Sequence, residues 1–331
     1  MSGGDSLSDK IRRGDPLPAP VAAALSACTP ITRLGMWWRL RQPATHVDAE
    51  VVSFGNLTAG GTGKTPAVIE RARKELSEGR RVAVLTRGYG SPSGPAPADS
   101  EEVDEARRYS LLGDEAALIL RKAQGVVVIK NPDRVAGARR AIQKHNCDLL
   151  LLDDGYQYTR LHRDENVLIM DAVNAAGNGK LLPRGILREP LRAISRASHV
   201  IVTRCDQADY ESIEALTQTI QEHAPNKPIR KTFHAPETLW NVANGDAMAL
   251  SDLAGLDIVA ACAIGHPESF FRTLEGLGAN ITKQLVFRDH AAISENALPS
   301  DRPVVMTEKD AIRGDYAQEN LFALGIELKD I

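Results

Sequence analysis

Cysteine is scarce in this 331-residue chain: Cys28, Cys147, Cys205 and Cys262 are too scattered for a C-x-x-C pair or a disulfide framework. A reducing, cytoplasmic compartment is the expectation. No charge of one sign dominates either. Forty basic residues stand against forty-three acidic ones, a net charge of −3, so there is no overall positive field for a polyanion and no nucleic-acid partner is expected. Long apolar runs are missing too. The run Val21–Ala27 is interrupted by Ser26 and stopped by Pro30, and nothing reaches the roughly 18 to 20 apolar residues of a spanning helix. The opening MSGGDSLSDKIRRGDPLPAP lacks the basic tip and apolar run of a secretory signal, so no export signal is read. Aromatics make up only 5%, yet with 43% hydrophobic residues the chain is able to bury a substantial core.

What is present starts with Ile31 to Gln42, ITRLGMWWRLRQ, which holds two tryptophans and three arginines and no acid. On a helix Ile31, Leu34 and Trp38 share a face, a composition that suits a segment lying in a lipid headgroup layer. The other reading is a helix packed on the body of the protein, with Trp37 and Trp38 in its core. From residue 50 short β-branched runs alternate with helical segments, which predicts an α/β fold with a doubly wound, mostly parallel sheet. Strands are expected at 50–54, 81–86, 126–130, 147–152, 166–171, 199–203 and 228–233, and helices at 65–77, 115–123, 134–145 and 211–223. The pattern restarts with strands at 258–263, 281–287 and 303–307 and a helix at 267–277. Three regions follow: an N-terminal helical segment 1–45, a core 46–235 and a smaller C-terminal α/β unit 236–331. The loops 90–104 and 174–190 are polar or punctuated and read as substrate-facing.

The strongest signal is VVSFGNLTAGGTGKTP, Val51 to Pro66. A buried strand runs through Thr58 and Ala59 into Gly60, Gly61, Thr62 and Gly63. Lys64 and Thr65 come next, then a helix whose first turn tolerates Pro66. Glycines let backbone N–H groups approach phosphate oxygens, and the helix N-terminus adds positive potential. Lys64 is expected to reach the β- and γ-phosphates and the Thr65 hydroxyl to ligate Mg²⁺. Thr58 stands where the usual pattern has Gly or Ala. The apolar strand Leu149 to Leu152 ends on Asp153 and Asp154, and a carboxylate at that edge is placed to hold Mg²⁺ directly or through water. Side chains alternate across a strand, so the choice between the two acids stays open. After HVIVT the chain reads Thr203-Arg204-Cys205-Asp206, not the N-K-x-D of guanine readers, which favours ATP.

These residues resemble the tetraacyldisaccharide 4′-kinase family of lipid A biosynthesis. The resemblance runs from about Asp15 through GNLTAGGTGKTP, TRGYG (86–90), GDEA (113–116), NPDR (131–134), DDGYQ with a following LHRD, LLPRGILREP (181–190), RDH (288–290) and TEKDAIR (307–313). It implies transfer of the γ-phosphoryl group of ATP to the 4′-hydroxyl of a tetraacyl glucosamine disaccharide 1-phosphate, giving lipid IVA. It also implies a peripheral location at the cytoplasmic face of the bacterial inner membrane, with no protein partner required. By the same resemblance Asp114 and His290 form the proton-accepting pair, and Arg134 and Arg188 lie near the nucleotide or its phosphates. Glu189 is implied as a second metal or substrate candidate, with Tyr89 and Gln157 near the sugar. Read from residues alone, Asp114 is a good N-cap and His290 a turn residue. Two departures stand out: DDGFQH of the family reads DDGYQY here, with Tyr158 for histidine, and its Pro-Asp-His reads Arg288-Asp289-His290. The alternative function is a P-loop ATPase that switches conformation with a protein partner.

Overall fold

The computed structural model describes residues 7, 10, 11, 15–88 and 91–331. In chain order its main elements are α1 (Ala19–Leu40), β1 (Glu50–Gly55), α2 (Lys64–Ser77), β2 (Val82–Thr86), β3 (Ala98–Asp99), α3 (Arg108–Leu112), α4 (Asp114–Lys122), β4 (Val127–Lys130) and α5 (Arg134–His145). There follow β5 (Leu149–Leu152), β6 (Glu165–Asp171), β7 (His199–Thr203), α6 (Tyr210–His223), β8 (Ile229–Asn241), β9 (Ala247–Met248), β10 (Asp257–Cys262) and α7 (Pro267–Gly276). The chain closes with β11 (Asn280–Val286), β12 (Val304–Thr307), α8 (Glu308–Ile312) and β13 (Leu321–Asp330).

Two compact units emerge. One comprises Met1–Lys64, Asp148–Phe233 and Asp330–Ile331, the other Thr65–Cys147 and His234–Lys329. The units interleave segments of the chain, with breaks at Lys64/Thr65, Cys147/Asp148, Phe233/His234 and Lys329/Asp330. The reason lies inside the second unit, where the Lys122 ammonium meets both Glu237 (2.8 Å) and Glu308 (2.9 Å) and Arg73 meets Glu237 (2.6 Å). These ion pairs join the segment after the phosphate loop to the C-terminal third of the chain. Helix α1 belongs to the first unit.

In the first unit β5, β1, β6 and β7 are all parallel, and residues 229–231 of β8 continue the sheet beside β7. All four residues of β5 are buried, as a parallel strand covered on both faces demands. Leu168, Met170, Val200 and Val202 of the sheet pack with Ile194 and with Leu216 and Ile220 of α6. In the second unit β2 and β4 are parallel with β3 antiparallel at the edge, and β11, β10, β12 and β13 form a parallel series. Asp133 caps α5 by accepting from the amides of Val135 (3.0 Å) and Ala136 (3.4 Å), and Asn146 closes it in the left-handed conformation.

The mostly parallel α/β fold is the one expected, and beyond the short elements β3, β9, α3 and α8, which were not read from the sequence, two longer stretches are new. Strand β8 runs on to Asn241, and β13 was not read from the sequence at all. Strand β13, LFALGIELKD, holds a single β-branched residue, Ile326, and Gly325 interrupts its apolar run; that glycine must be small, because a Cβ there would lie 2.3 Å from the Thr238 hydroxyl and 2.8 Å from Glu308 Oε2. Helix α1 also passes through Pro30, the residue that ends the apolar run read from the sequence. Contacts on both sides of the proline hold it: Arg184 donates to the Ser26 hydroxyl (2.6 Å), the Thr32 hydroxyl to the Leu182 carbonyl (2.9 Å), and the Thr159 hydroxyl to the Arg39 carbonyl (2.8 Å).

Candidate active site

In the first unit the strand β1 delivers the chain into the glycine loop. Gly60 and Gly63 have φ of 122° and 81°, the left-handed region that a side chain resists. The loop is braced by a bond from the Ala59 amide to the Ile186 carbonyl (2.8 Å) and by the Thr203 hydroxyl, which donates to the Thr62 carbonyl (2.9 Å). Thr58, the departure from the usual loop pattern, pairs in a single antiparallel bridge with Leu187. The LLPRGILREP segment therefore runs alongside the phosphate loop. A side chain at Gly61 would meet nothing within 4 Å, so the cradle is open there.

Lys64 Nζ stands 3.5 Å from Asp154 Oδ1, and the Arg188 guanidinium donates to both oxygens of the same carboxylate (2.9 and 2.8 Å). Burial alone would push the Asp154 carboxyl up, but Lys64 and Arg188 outweigh it and hold it below its ordinary value. Asp153, the residue just after β5, is buried. Asp154 turns away with a φ of 54°, so the two adjacent acids are presented differently. Glu189 accepts both arms of the Arg196 fork (2.8 and 2.9 Å) and the Gln157 side-chain amide (3.1 Å). The same Gln157 amide donates to the Asn56 carbonyl (2.9 Å), at the start of the phosphate loop. At the edge where a guanine reader would carry its signature, Arg204 forms a buried two-point pair with Asp171.

In the second unit Asp114 and His290 meet: Asp114 Oδ2 lies 3.2 Å from His290 Nδ1. Asp114 does not cap its helix. Gly113, at φ 99°, takes the cap position and Asp114 is the first residue of α4, its Oδ1 accepting the Glu115 amide (2.9 Å). His290 does sit in a turn, with φ of 62°, a conformation rare for a residue with a side chain. Burial opposes the charge on Asp114, but His290, Lys309 and Arg313 hold its carboxyl far below the usual carboxylate range. In return the hydrogen bond to Asp114 raises the His290 imidazole above its ordinary value, against the effects of burial and of Arg313. Thr65 lies in the first turn of α2, and its hydroxyl donates to Glu115 Oε1 (3.5 Å), the carboxylate that also pairs with Lys309 (3.2 Å). Arg134 is buried at the start of α5 and donates to the Pro132 carbonyl (3.3 Å). Tyr89 lies outside the described residues.

Two participants escaped the sequence reading. Arg196 clamps Glu189, and Arg313 contacts Asp114. Arg313 stands in the TEKDAIR motif, so a signal existed, but nothing in the linear sequence says which carboxylate an arginine will find. Among the described residues no cluster of three or more His, Cys, Asp or Glu side chains is arranged to hold a metal by itself.

Comparison with known proteins agrees with this architecture. The family model for tetraacyldisaccharide-1-P 4′-kinases matches residues 17–329. The tetraacyldisaccharide 4′-kinase of Anaeromyxobacter dehalogenans is 40% identical over 284 residues, spanning 83% of this chain and 75% of the relative. That of Syntrophus aciditrophicus is 40% identical over 287 residues, spanning 82% and 76%. The crystal structure of LpxK from Aquifex aeolicus in complex with ATP superposes with a TM-score of 0.72 at 27% identity, covering 92% of this chain and 95% of that one. A strand, glycine loop and helix carrying Lys64, an Asp-His pair assembled from distant parts of the sequence, and these matches along nearly the whole chain lead to one assignment: the chain belongs to the tetraacyldisaccharide-1-P 4′-kinase family.

Proposed function

We propose that this kinase transfers the γ-phosphoryl group of ATP to the 4′-hydroxyl of a tetraacyl glucosamine disaccharide 1-phosphate, giving lipid IVA. The observation that carries the assignment of roles is the contact between Asp114 and His290. Phosphoryl transfer asks a protein chiefly for positioning, charge neutralisation and a proton acceptor. Residues Thr58 to Lys64 bind the triphosphate through backbone N–H groups and the Lys64 ammonium, with Arg134 and Arg188 as further cations. Asp114 and His290 take up the proton of the attacking hydroxyl. Gln157 is assigned to the sugar.

The oxygen donors of Thr65, Asp153 and Asp154 suit Mg²⁺, a hard cation. Asp154 also pairs with Lys64 and Arg188, and Glu189 with Arg196. When bound, Mg²⁺ neutralises phosphate charge.

The acceptor is a lipid, and α1 supports a location at the bilayer surface. Ile31 and Trp38 of this helix are 73% and 61% exposed, and Leu34, Trp37 and Leu40 are exposed beside them. The tryptophans are therefore not core residues. The Arg41 guanidinium stacks over the Trp37 ring at 3.8 Å, giving a cationic rim to an apolar face. Among the described residues no helix is long and apolar enough to cross a membrane; the proposed role of α1 is a surface contact with the leaflet that carries the acceptor. Attraction to anionic lipid reinforces the contact.

The test is transfer of labelled γ-phosphate, with Mg²⁺, to the tetraacyl disaccharide 1-phosphate in mixed micelles. The expected product carries the label at the 4′ position and disappears in Asp114→Ala and His290→Ala. ATP hydrolysis that ignores the disaccharide and yields no lipid product would overturn the reading.

A further inference from the structure

Arg313 is buried, its side chain 2% exposed, and its guanidinium serves several acceptors at once. It donates to Asp114 Oδ2 from Nε (2.9 Å) and from Nη2, and from Nη1 to Asp310 Oδ1 (2.7 Å) and to the Ala263 carbonyl (3.0 Å). That same carbonyl accepts the backbone amide of His290 (3.0 Å). Asp310 closes the arrangement, its Oδ2 accepting the Ala263 amide (3.2 Å) and the Thr307 hydroxyl (2.5 Å). One guanidinium thus fixes both the carboxylate and the backbone that carries the imidazole.

The consequence for proton transfer follows from counting donors. Asp114 Oδ1 accepts the Glu115 amide, and Oδ2 accepts two N–H groups from Arg313 and one from His290. A proton placed on Oδ2 would point at guanidinium N–H groups and abolish charge-assisted hydrogen bonds, the stronger kind. An ionised carboxylate only accepts, so in this contact His290 Nδ1 carries the hydrogen, and the 3.3 Å approach of Arg313 Nη2 to the same nitrogen is then a close contact and not a hydrogen bond. The basic nitrogen of the neutral ring is then Nε2.

We infer that Arg313 is a positioning residue for phosphoryl transfer, committing the Asp114 carboxylate to the orientation of His290 so that the proton of the acceptor hydroxyl passes to His290 Nε2. This rests on the kinase reading above. In the step the hydroxyl O–H bond breaks and its proton goes to Nε2, while the oxygen forms a bond to the γ-phosphorus. The bond from that phosphorus to the bridging oxygen breaks, and its electron pair leaves on ADP. The imidazolium stays paired with Asp114 until it releases the proton to solvent.

The charges around His290 make the role measurable. Asp114 and Asp289, the latter 3.8 Å from Nε2, favour the protonated ring. Arg313 opposes it. From α8 Lys309 and Asp310, and from α3 Tyr109, act on Asp114 and Arg313 rather than on the ring. Replacing Arg313 by an uncharged residue of similar bulk therefore leaves His290 protonated to higher pH.

The experiment compares Arg313→Met and Arg313→Lys with the wild type. Two quantities are read: the pH profile of kcat/KM for disaccharide phosphorylation, and the titration of the His290 ring by NMR in the full-length protein without substrates. In Arg313→Met the acid limb and the NMR titration should both move to higher pH, by about half a unit or more, with kcat reduced and the KM for ATP kept. Arg313→Lys retains the charge but not the fork, so kcat should fall while the acid limb stays in place. A folded Arg313→Met whose His290 titration matches wild type would overturn the inference. Should that variant fail to fold, an Arg313→Lys with undiminished kcat would do the same. Failure of the wild type to phosphorylate the disaccharide would instead sink the kinase reading, independently of the NMR result.

Discussion

Asp114 and Asp154 share a predicament: each is a carboxylate that burial penalises, and each is kept ionised by cations brought from elsewhere in the chain. They differ in what those cations do. Lys64 and Arg188, on Asp154, are groups that suit phosphate, whereas Arg313, on Asp114, is buried and fixed. Substitution should separate the two functions. Lys64→Ala is expected to abolish transfer and raise the Kd for ATP at least tenfold, a loss of about 1.4 kcal/mol or more. Asp114→Asn is expected to abolish transfer with ATP affinity within about twofold of wild type; isothermal titration with ATP decides, and an equal loss of affinity in both would make Asp114 structural. The pair also has a pH signature in stability. The Asp114 carboxyl is lowered from 3.8 on folding, so its contribution is complete above that value and lost as pH falls below it. The imidazole is raised from 6.5, so its contribution is complete below that value and lost as pH rises past the folded value. The Tm difference between wild type and His290→Ala should be largest near pH 5 to 6 and shrink above neutrality. At this scale the phosphate loop was legible, because glycine, lysine and threonine at fixed spacing after a strand have one common use. Asp114 and His290 were legible only through the family, because each is an ordinary residue for a helix start or a turn. Arg313 acquires its meaning from three acceptors supplied by different segments.

Helices and strands were read well where local physics decides them. Helix α5, from Arg134 to His145, has its cap, its closing asparagine and its periodicity written within fifteen or so residues, and β5 is a continuous apolar run. What escaped, β13 and the far end of β8, depends on tertiary approach: Gly325 looks like a strand breaker until its neighbours Thr238 and Glu308 are known. The same region shows why the second unit groups sequence segments so distant from each other. The Lys122 ammonium is buried between Glu237 and Glu308 and donates also to the Ile326 carbonyl (2.6 Å). Removing one member of such a set leaves buried charge behind, and Lys122→Met should destabilise the protein by about 3 to 5 kcal/mol. Chemical denaturation would register this as a lower midpoint with an unchanged slope. A loss below about 1 kcal/mol would mean that water reaches Glu237 and Glu308 and replaces the lysine.

At the scale of the whole molecule the exposed apolar face of α1 is the feature on which the proposed bilayer contact rests. Its sequence allowed two readings, interfacial or core, and the exposure of Ile31, Leu34, Trp37 and Trp38 removes the second. Periodicity could not choose between them, since an apolar stripe looks the same whether protein or lipid covers it. Trp37→Ser with Trp38→Ser should reduce co-sedimentation with anionic vesicles severalfold while leaving ATP affinity as it is; unchanged sedimentation would return α1 to a structural role. A helix seated in the headgroup layer also alters what substrate concentration means for this kinase. Enzyme and acceptor then meet in a plane, so encounters scale with the number of acceptor molecules per unit of surface and not per litre. Added inert detergent or phospholipid should slow phosphorylation at constant total acceptor, and a KM quoted in molar units would change with the amount of carrier lipid in the assay.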